Sequence, residues 1–357
     1  MATKVTGIGI VSALGLNAND NWQALQDKRT GVGPLVRLQT VHKVPAGEIE
    51  QTNEELATML GLDAKKTYSR TALLGMMAAR EAIKDANLDL NGKKVGLISG
   101  TSVGGMDLSE QYFTDVHNGK RAHLRNLFEH DCGASTMRMA DHLGIKDFMT
   151  TISTACSSSA NAIMLADRML RSKQLDAVVV GGTDPLCKFT INGFTSPMIL
   201  DQEQCRPFDD TRNGLNLGEG AGFLVLERDE TAEGKPAYCN LLGYANANDA
   251  YHQTATSANG EGPFLAMKGA LEKAQLQPKD IDYINAHGTG TGNNDLSEAT
   301  AIGRLFGEKV PPFSSTKVYT GHTLGACGGI EAAFCALMLK HDTIIPTFNF
   351  CNPMQEL

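Results

Sequence analysis

One local pattern occurs twice in this chain, and any fold must accommodate both copies. The first copy runs from the apolar stretch Phe148–Thr154 through a polar turn at Cys156 into a small-residue helix, Ala160–Leu170. It then continues to a further apolar stretch, Ala177–Val180. The second runs from Pro312–Val318 through Gly321-His322-Thr323-Leu324-Gly325-Ala326-Cys327-Gly328-Gly329 into Ile330–Lys340, then Thr343–Thr347. Small residues at a helix start let other backbone approach closely. Two long helices packed on each other between two sheets are therefore expected. The other apolar runs are Val5–Val11, Val95–Ser99, Phe223–Leu226, Ala237–Tyr244, Ile281–Asn285 and Val310–Ser315. They are apolar on both alternations, which suits strands covered on both faces. Helical patterns at Arg70–Asp85 and Pro263–Ala274 lie between them, so the architecture is α/β. The charged, glycine-containing stretch Glu227–Pro236 is the expected junction, giving halves 1–235 and 236–357.

A formal charge of −8 argues against a nucleic-acid partner, which needs clustered Lys and Arg. The 8 cysteines are scattered without a CxxC pair, as in a reducing compartment. Lys4 followed by Val5–Leu16 faintly imitates a signal peptide, but it is short, glycine-rich and broken by Thr6 and Ser12. No apolar run approaches membrane-spanning length. A cytoplasmic protein is expected.

The chemistry-bearing residues gather at strand ends. Cys156, in Ser153-Thr154-Ala155-Cys156-Ser157-Ser158, stands just before a helix. There the unpaired backbone N–H groups favour a thiolate, although an apolar setting equally suits a small buried cysteine. His287 follows a strand in Asn285-Ala286-His287-Gly288-Thr289-Gly290-Thr291-Gly292, while Lys317 and His322 stand at the mouth of the second repeated helix. Most lone histidines hold a local hydrogen bond, but junctions at one end of an α/β sheet are where functional groups collect. Gly100-Thr101-Ser102-Val103-Gly104 also fits a nucleophile elbow, so an α/β-hydrolase using Ser102 remains a rival. Gly7-Ile8-Gly9 lacks the third glycine of a dinucleotide site.

Taken in order, Thr-Ala-Cys156-Ser-Ser, His287-Gly-Thr-Gly-Thr, and Lys317 with Gly-His322 resemble the β-ketoacyl-acyl-carrier-protein synthases. These are the decarboxylating, two-histidine condensing enzymes of the thiolase-like superfamily. Arg206-Pro-Phe-Asp, Gly218-Glu-Gly-Ala-Gly, Val5-Thr-Gly-Ile-Gly and Gly100-Thr-Ser-Val-Gly-Gly extend the resemblance over essentially the whole chain. It implies a duplicated five-layer αβαβα sandwich, in agreement with the internal repeat.

The resemblance also implies roles. Cys156 attacks an acyl thioester and holds the acyl group. His287 and His322 are neutral Nε2 donors to the malonyl thioester carbonyl, which becomes an enolate as CO₂ leaves. Lys317 is electrostatic and paired with Glu298, since a buried ammonium needs a carboxylate. Asp295 supports the His287 loop. Thr289 and Thr291 bind the pantetheine arm, and Phe208 is placed at the substrate. The substrates carry phosphopantetheine, so neither a resident cofactor nor a metal is expected.

Two departures from the family pattern stand out. Gly292-Asn293-Asn294 replaces the usual Thr-Pro after the histidine loop. After Asn352-Pro353-Met354 the chain shows no final strand pair and no Gly-Phe-Gly gating loop, so the C-terminal strands are expected to be missing. Weak condensing activity alone, or completion by another subunit, is the corresponding expectation. An acyl carrier protein and a homodimer, or a heterodimer with a related ketosynthase-like subunit, are the expected partners. Carriers of this kind are strongly acidic, so docking on an acidic chain needs a local basic patch. Lys65, Lys66 and Arg70 are the candidates.

Overall fold

The computed structural model describes residues 3–63, 66–196, 198–251 and 256–357. Six strands form the main sheet: β1 (Thr3–Ser12), β2 (Val95–Gly100), β3 (Phe148–Ile152), β4 (Ala177–Asp184), β5 (Gly220–Arg228) and β6 (Cys239–Leu241). Their spatial order is β3-β2-β4-β5-β1-β6. β2 pairs in parallel with β3 and β4, whereas β5 and β6 join antiparallel. In register, Ile98 lies opposite Thr150 on one side and Val180 on the other. A smaller sheet pairs β7 (Ile284–Asn285) in parallel with β8 (Phe313–Ser314).

Alternate residues of the central strands point to opposite faces, and both faces are apolar. Leu97, Ala177, Val179, Phe223 and Val225 pack under α1 (Arg70–Asp85) and α2 (Cys132–Leu143). Ile98, Val178, Val180, Leu224 and Leu226 pack under α3 (Ser158–Arg171) and α4 (Cys327–His341). α3 and α4 are the two repeated helices, and their starts touch. The Ser159 hydroxyl accepts from the Gly329 amide at 2.9 Å. Glycine permits this packing: a Cβ on Gly182 of β4 would lie 2.6 Å from the Gly325 carbonyl oxygen and 2.7 Å from Ser159 Cβ. Any side chain there would push one helix start off the sheet.

Three expectations are corrected here. The Ala237–Tyr244 run forms strand only over Cys239–Leu241, and Thr343–Thr347 forms none. A strand exists only where a neighbour completes its ladder. In Thr343–Thr347, side chains take the carbonyls instead, Ser314 bonding Ile345 and Tyr319 bonding Pro346. The expected junction also begins inside the fold, because β5 runs to Arg228. Glu227 is buried there, bonded by Thr6, Lys93 and Lys235. Among the described residues, no helix is long and apolar enough to cross a membrane.

Candidate active site

Cys156 stands on the turn from β3 into α3. The turn is held by hydroxyls: Ser158 Oγ donates to the Ala155 carbonyl (2.6 Å) and accepts from the Thr154 amide (2.9 Å). Asn161 bonds Thr154 Oγ1 at 2.9 Å. Ala155 takes a left-handed φ of 55°, unusual for a residue with a Cβ, and so aims the following sulfur out of the turn.

His287 leaves β7 on a loop clasped by the first turns of α5 (Gly292–Phe306). Glu298 accepts the His287 and Gly288 amides at 2.7 and 2.8 Å. Asp295 accepts those of Thr289, Gly290 and Phe208. The two carboxylates thus fix the loop through its backbone and leave the imidazole free. Burial drives the Glu298 carboxyl up to about 7, against the opposing amide bonds. Burial likewise lowers the His287 pKa well below its ordinary value, helped by Lys317 and His322, so the ring is neutral. Thr289 and Thr291 hydroxyls bond each other at 2.9 Å. Phe208 is buried, edge-on to Phe313 at 5.0 Å and beneath Gly288; it supports the loop from below.

His322 sits on the second repeated turn. Its Nδ1 accepts the Leu324 amide at 3.0 Å, an amide aimed by a left-handed Leu324 (φ 51°). That bond makes Nδ1 an acceptor, so the neutral ring carries its proton on Nε2. The His287 and His322 rings lie 5.2 Å apart at 86°. Cys156 Sγ and one nitrogen of each ring all fall within 4.8 Å of one another. Three residues spread over the chain therefore meet at one point. The trio is compact enough to share a soft cation. However, a metal on His322 Nε2 would force the proton onto Nδ1, against the Leu324 N–H. The bonding favours N–H donors around a thiol.

Lys317 is buried, but its partner is Glu331, at 2.5 Å, rather than the expected Glu298. Both Glu298 oxygens are taken by backbone amides, while the first turns of α4 present Glu331 directly to the ammonium. Burial alone would depress the Lys317 pKa; Glu331, with smaller contributions from Cys327 and Glu298, outweighs it and raises it. Sequence reasoning also missed Asp184, at the end of β4. It accepts from Thr101 Oγ1 (2.5 Å) and from the amides of Ser102 (2.8 Å), Val103 (3.2 Å) and Gly325 (2.6 Å). A carboxylate ending a strand as apolar as Val178-Val179-Val180-Gly181-Gly182 was the available signal, since a buried acid must find donors.

The rival nucleophile and one docking candidate fail here. Ser102 Oγ is buried without a hydrogen-bond partner, and its amide serves Asp184, so no base activates it. Arg70 is 1% exposed. Its guanidinium makes a two-pronged bond to buried Glu219 (2.7 and 2.8 Å) and reaches the carbonyls of Ile49 and Gln51. It is a core ion pair and cannot meet a partner. Lys66 is exposed, beside His123 and Arg125 in a cleft of about 270 Å³, and Lys65 lies outside the described residues.

Comparison with known proteins shows which family the chain is similar to. Residues 3–232 match the family described as beta-ketoacyl synthase, N-terminal domain, and residues 238–351 match its C-terminal domain. The chain is 35% identical to a 3-oxoacyl-[acyl-carrier-protein] synthase 2 of Staphylococcus aureus, covering 99% of this chain and 91% of that protein. Among solved structures, the ishigamide ketosynthase/chain length factor aligns with a TM-score of 0.91 at 28% identity, over 99% of this chain and 90% of that one. A type II polyketide ketosynthase bound to its acyl-carrier protein aligns at 0.89 and 27%, over 99% and 90%. The thiolase-like ketosynthase fold is thus established, and this chain belongs to the β-ketoacyl synthase family.

Proposed function

We propose that the chain is an acyltransferase that condenses an acyl thioester with malonyl-acyl carrier protein, releasing CO₂ and a β-ketoacyl carrier, in fatty acid or polyketide synthesis. The observation that carries this reading is the meeting of Cys156, His287 and His322 within 4.8 Å. Cys156 sulfur attacks the acyl carbonyl, and the carrier's pantetheine sulfur leaves, taking up the proton that the thiol gives up. Malonyl then binds with its thioester carbonyl oxygen facing the two imidazoles. Its carboxylate carbon–carbon bond breaks, CO₂ departs, and the electron pair becomes an enolate held by the two N–H groups. The enolate carbon attacks acyl-Cys156 and expels the sulfur. Donors preorganised where charge develops each contribute about 10²–10³ in rate. Thr289 and Thr291, beside His287, supply hydroxyls for the pantetheine arm, and the reaction as written needs no resident cofactor.

The test is intact-mass analysis after incubation with acyl carrier, followed by malonyl carrier. The acyl mass should map to Cys156, be absent in C156A, and disappear when product forms. Acylation at Ser102, or none in a chain that folds, would sink the reading.

Partner dependence is a second reading that a specific observation favours. β3 is an edge strand, and Ser153, Thr154, Ala155 and Ser157 beside Cys156 are exposed. Phe113, Phe128, Met137 and Met149 are exposed too. A second copy, or a related subunit of the chain-length-factor kind, fits that face. Light scattering and activity with and without such a subunit distinguish the two. For the carrier we assign Lys66 with His123 and Arg125; K66E together with R125E should raise KM for carrier-bound substrate and spare small thioesters. We divide the chain at about 235, supported by the separate matches to 3–232 and 238–351. We place it in the cytoplasm, where its eight free thiols would stay reduced.

A further inference from the structure

A second thiol lies at the Nδ1 edge of His322. Cys327 Sγ is 3.6 Å from Nδ1, is 2% exposed, and opens α4. Thr323 Oγ1 donates to the same sulfur at 3.5 Å. The threonine engages one sulfur lone pair. Because Nδ1 already accepts the Leu324 amide it carries no proton, so in this contact the thiol is the donor and the ring nitrogen the acceptor. The single Nδ1 lone pair is thus shared by two donors, the Leu324 amide at 3.0 Å and the longer Cys327 S–H contact at 3.6 Å. Both favour the same ring state, unprotonated at Nδ1 and protonated at Nε2.

We propose that Cys327 is a positioning residue for the condensation: its S–H, backed by Thr323, holds His322 as the Nε2–H donor and holds the plane of the ring. This rests on the reading of His322 as an enolate donor. The surrounding residues make the role chemical rather than space-filling. In Leu324-Gly325-Ala326-Cys327-Gly328-Gly329, Cys327 is the one side chain with a heteroatom. An alanine would fill much of its volume without offering a proton. Burial pushes the thiol up to about 11, with Lys317 opposing, so the proton stays on sulfur at working pH. The thiol therefore acts as a donor, and the nucleophile's role stays with Cys156.

The experiment compares full-length parent, C327A, C327S and T323V. Histidine ring nitrogens are read by long-range ¹⁵N–¹H correlation in the resting enzyme, and malonyl decarboxylation is read in single turnovers from pH 6 to 9. In C327A, the His322 ring shifts should move toward tautomer averaging. The single-turnover rate should fall about two- to tenfold, the weight of one neutral hydrogen bond, with the half-saturating carrier concentration unchanged. C327S should restore both, and T323V should move both in the same direction by less. If C327A fails to fold, T323V and C327S carry the test. A folded C327A that keeps either the parental ring shifts or the parental rate overturns the proposal. H322N separates it from the functional reading: an H322N enzyme that decarboxylates like the parent refutes the role of His322, whatever the ring shifts show.

Discussion

The two repeated strand-to-helix turns share a plan and differ in solvent. Around Cys156, Ser153, Thr154, Ala155, Ser157 and Ala160 are exposed, and the turn is closed by side-chain hydroxyls and Asn161. Around His322, every residue from 314 to 327 is buried, and the turn is closed by an ion pair, a carboxylate and a strained leucine. The sulfur must meet an acyl group arriving from outside, whereas the imidazole must already point its proton when charge develops. Electrostatic preorganisation is worth most where water is excluded. One motif has been built open for delivery and dry for stabilisation.

That contrast can be broken most severely at Lys317. Replacing it with methionine leaves Glu331 without its partner beside a buried turn, and a broken buried pair costs about 3–5 kcal/mol. Urea denaturation should show that loss, with the K317M/E331L double variant recovering part of it. A K317M chain as stable as the parent would mean that the turn is wetter than its burial indicates. His322→Asn comes next. It should lower single-turnover decarboxylation by about 10²–10³ while Cys156 still takes up acyl groups, because the two turns act on different steps. Loss of acylation as well would merge them.

A third prediction uses pH. Glu298 ionises near 7 in the fold against 4.5 ordinarily, so its protonated form is favoured by folding. Its stabilising contribution is complete below 4.5 and is lost as pH rises through about 7. E298Q cannot titrate. The stability difference between parent and E298Q should therefore shift in favour of E298Q between pH 5 and 7.5, measured by denaturation at each pH. An identical difference at both would remove the claim. The smallest effect belongs to the open turn: N161A removes a partly solvated bond and should cost about 0.5–1.5 kcal/mol or less, seen as a small fall in Tm.

Much of this was readable from residues alone where local rules and tertiary packing agree. Ser69 caps α1, and the amphipathic run Arg70–Asp85 gives its bounds without help. The thiol and both imidazoles could be selected because each stands at a junction, Cys156 and His287 after strands and His322 before a helix. What resisted reading was pairing at a distance. Arg70 opens a helix and reads as a solvated cation, yet Glu219, 149 residues away, draws it into the core. Lys317 needed a carboxylate, and Glu298 was chosen for its nearness to His287; helix phase instead delivers Glu331. Thr343–Thr347 has strand composition, but pairing is a property of neighbours, and side chains claimed its carbonyls first.

Asp184 carries a consequence for how the protein can be taken apart. Its carboxylate is shared between amides of the Gly100 loop and the amide of Gly325, one from each half of the chain. Cut at the junction, the first fragment would keep a buried acid short of one donor, and the second would lose the acceptor that seats its helix. The halves are chemically a lock and its bolt. Reassembly of separately produced fragments should draw on that oxygen pair beside the β1–β6 ladder and the Ser159–Gly329 bond, and D184N should impair joining of the pieces more than folding of the intact chain.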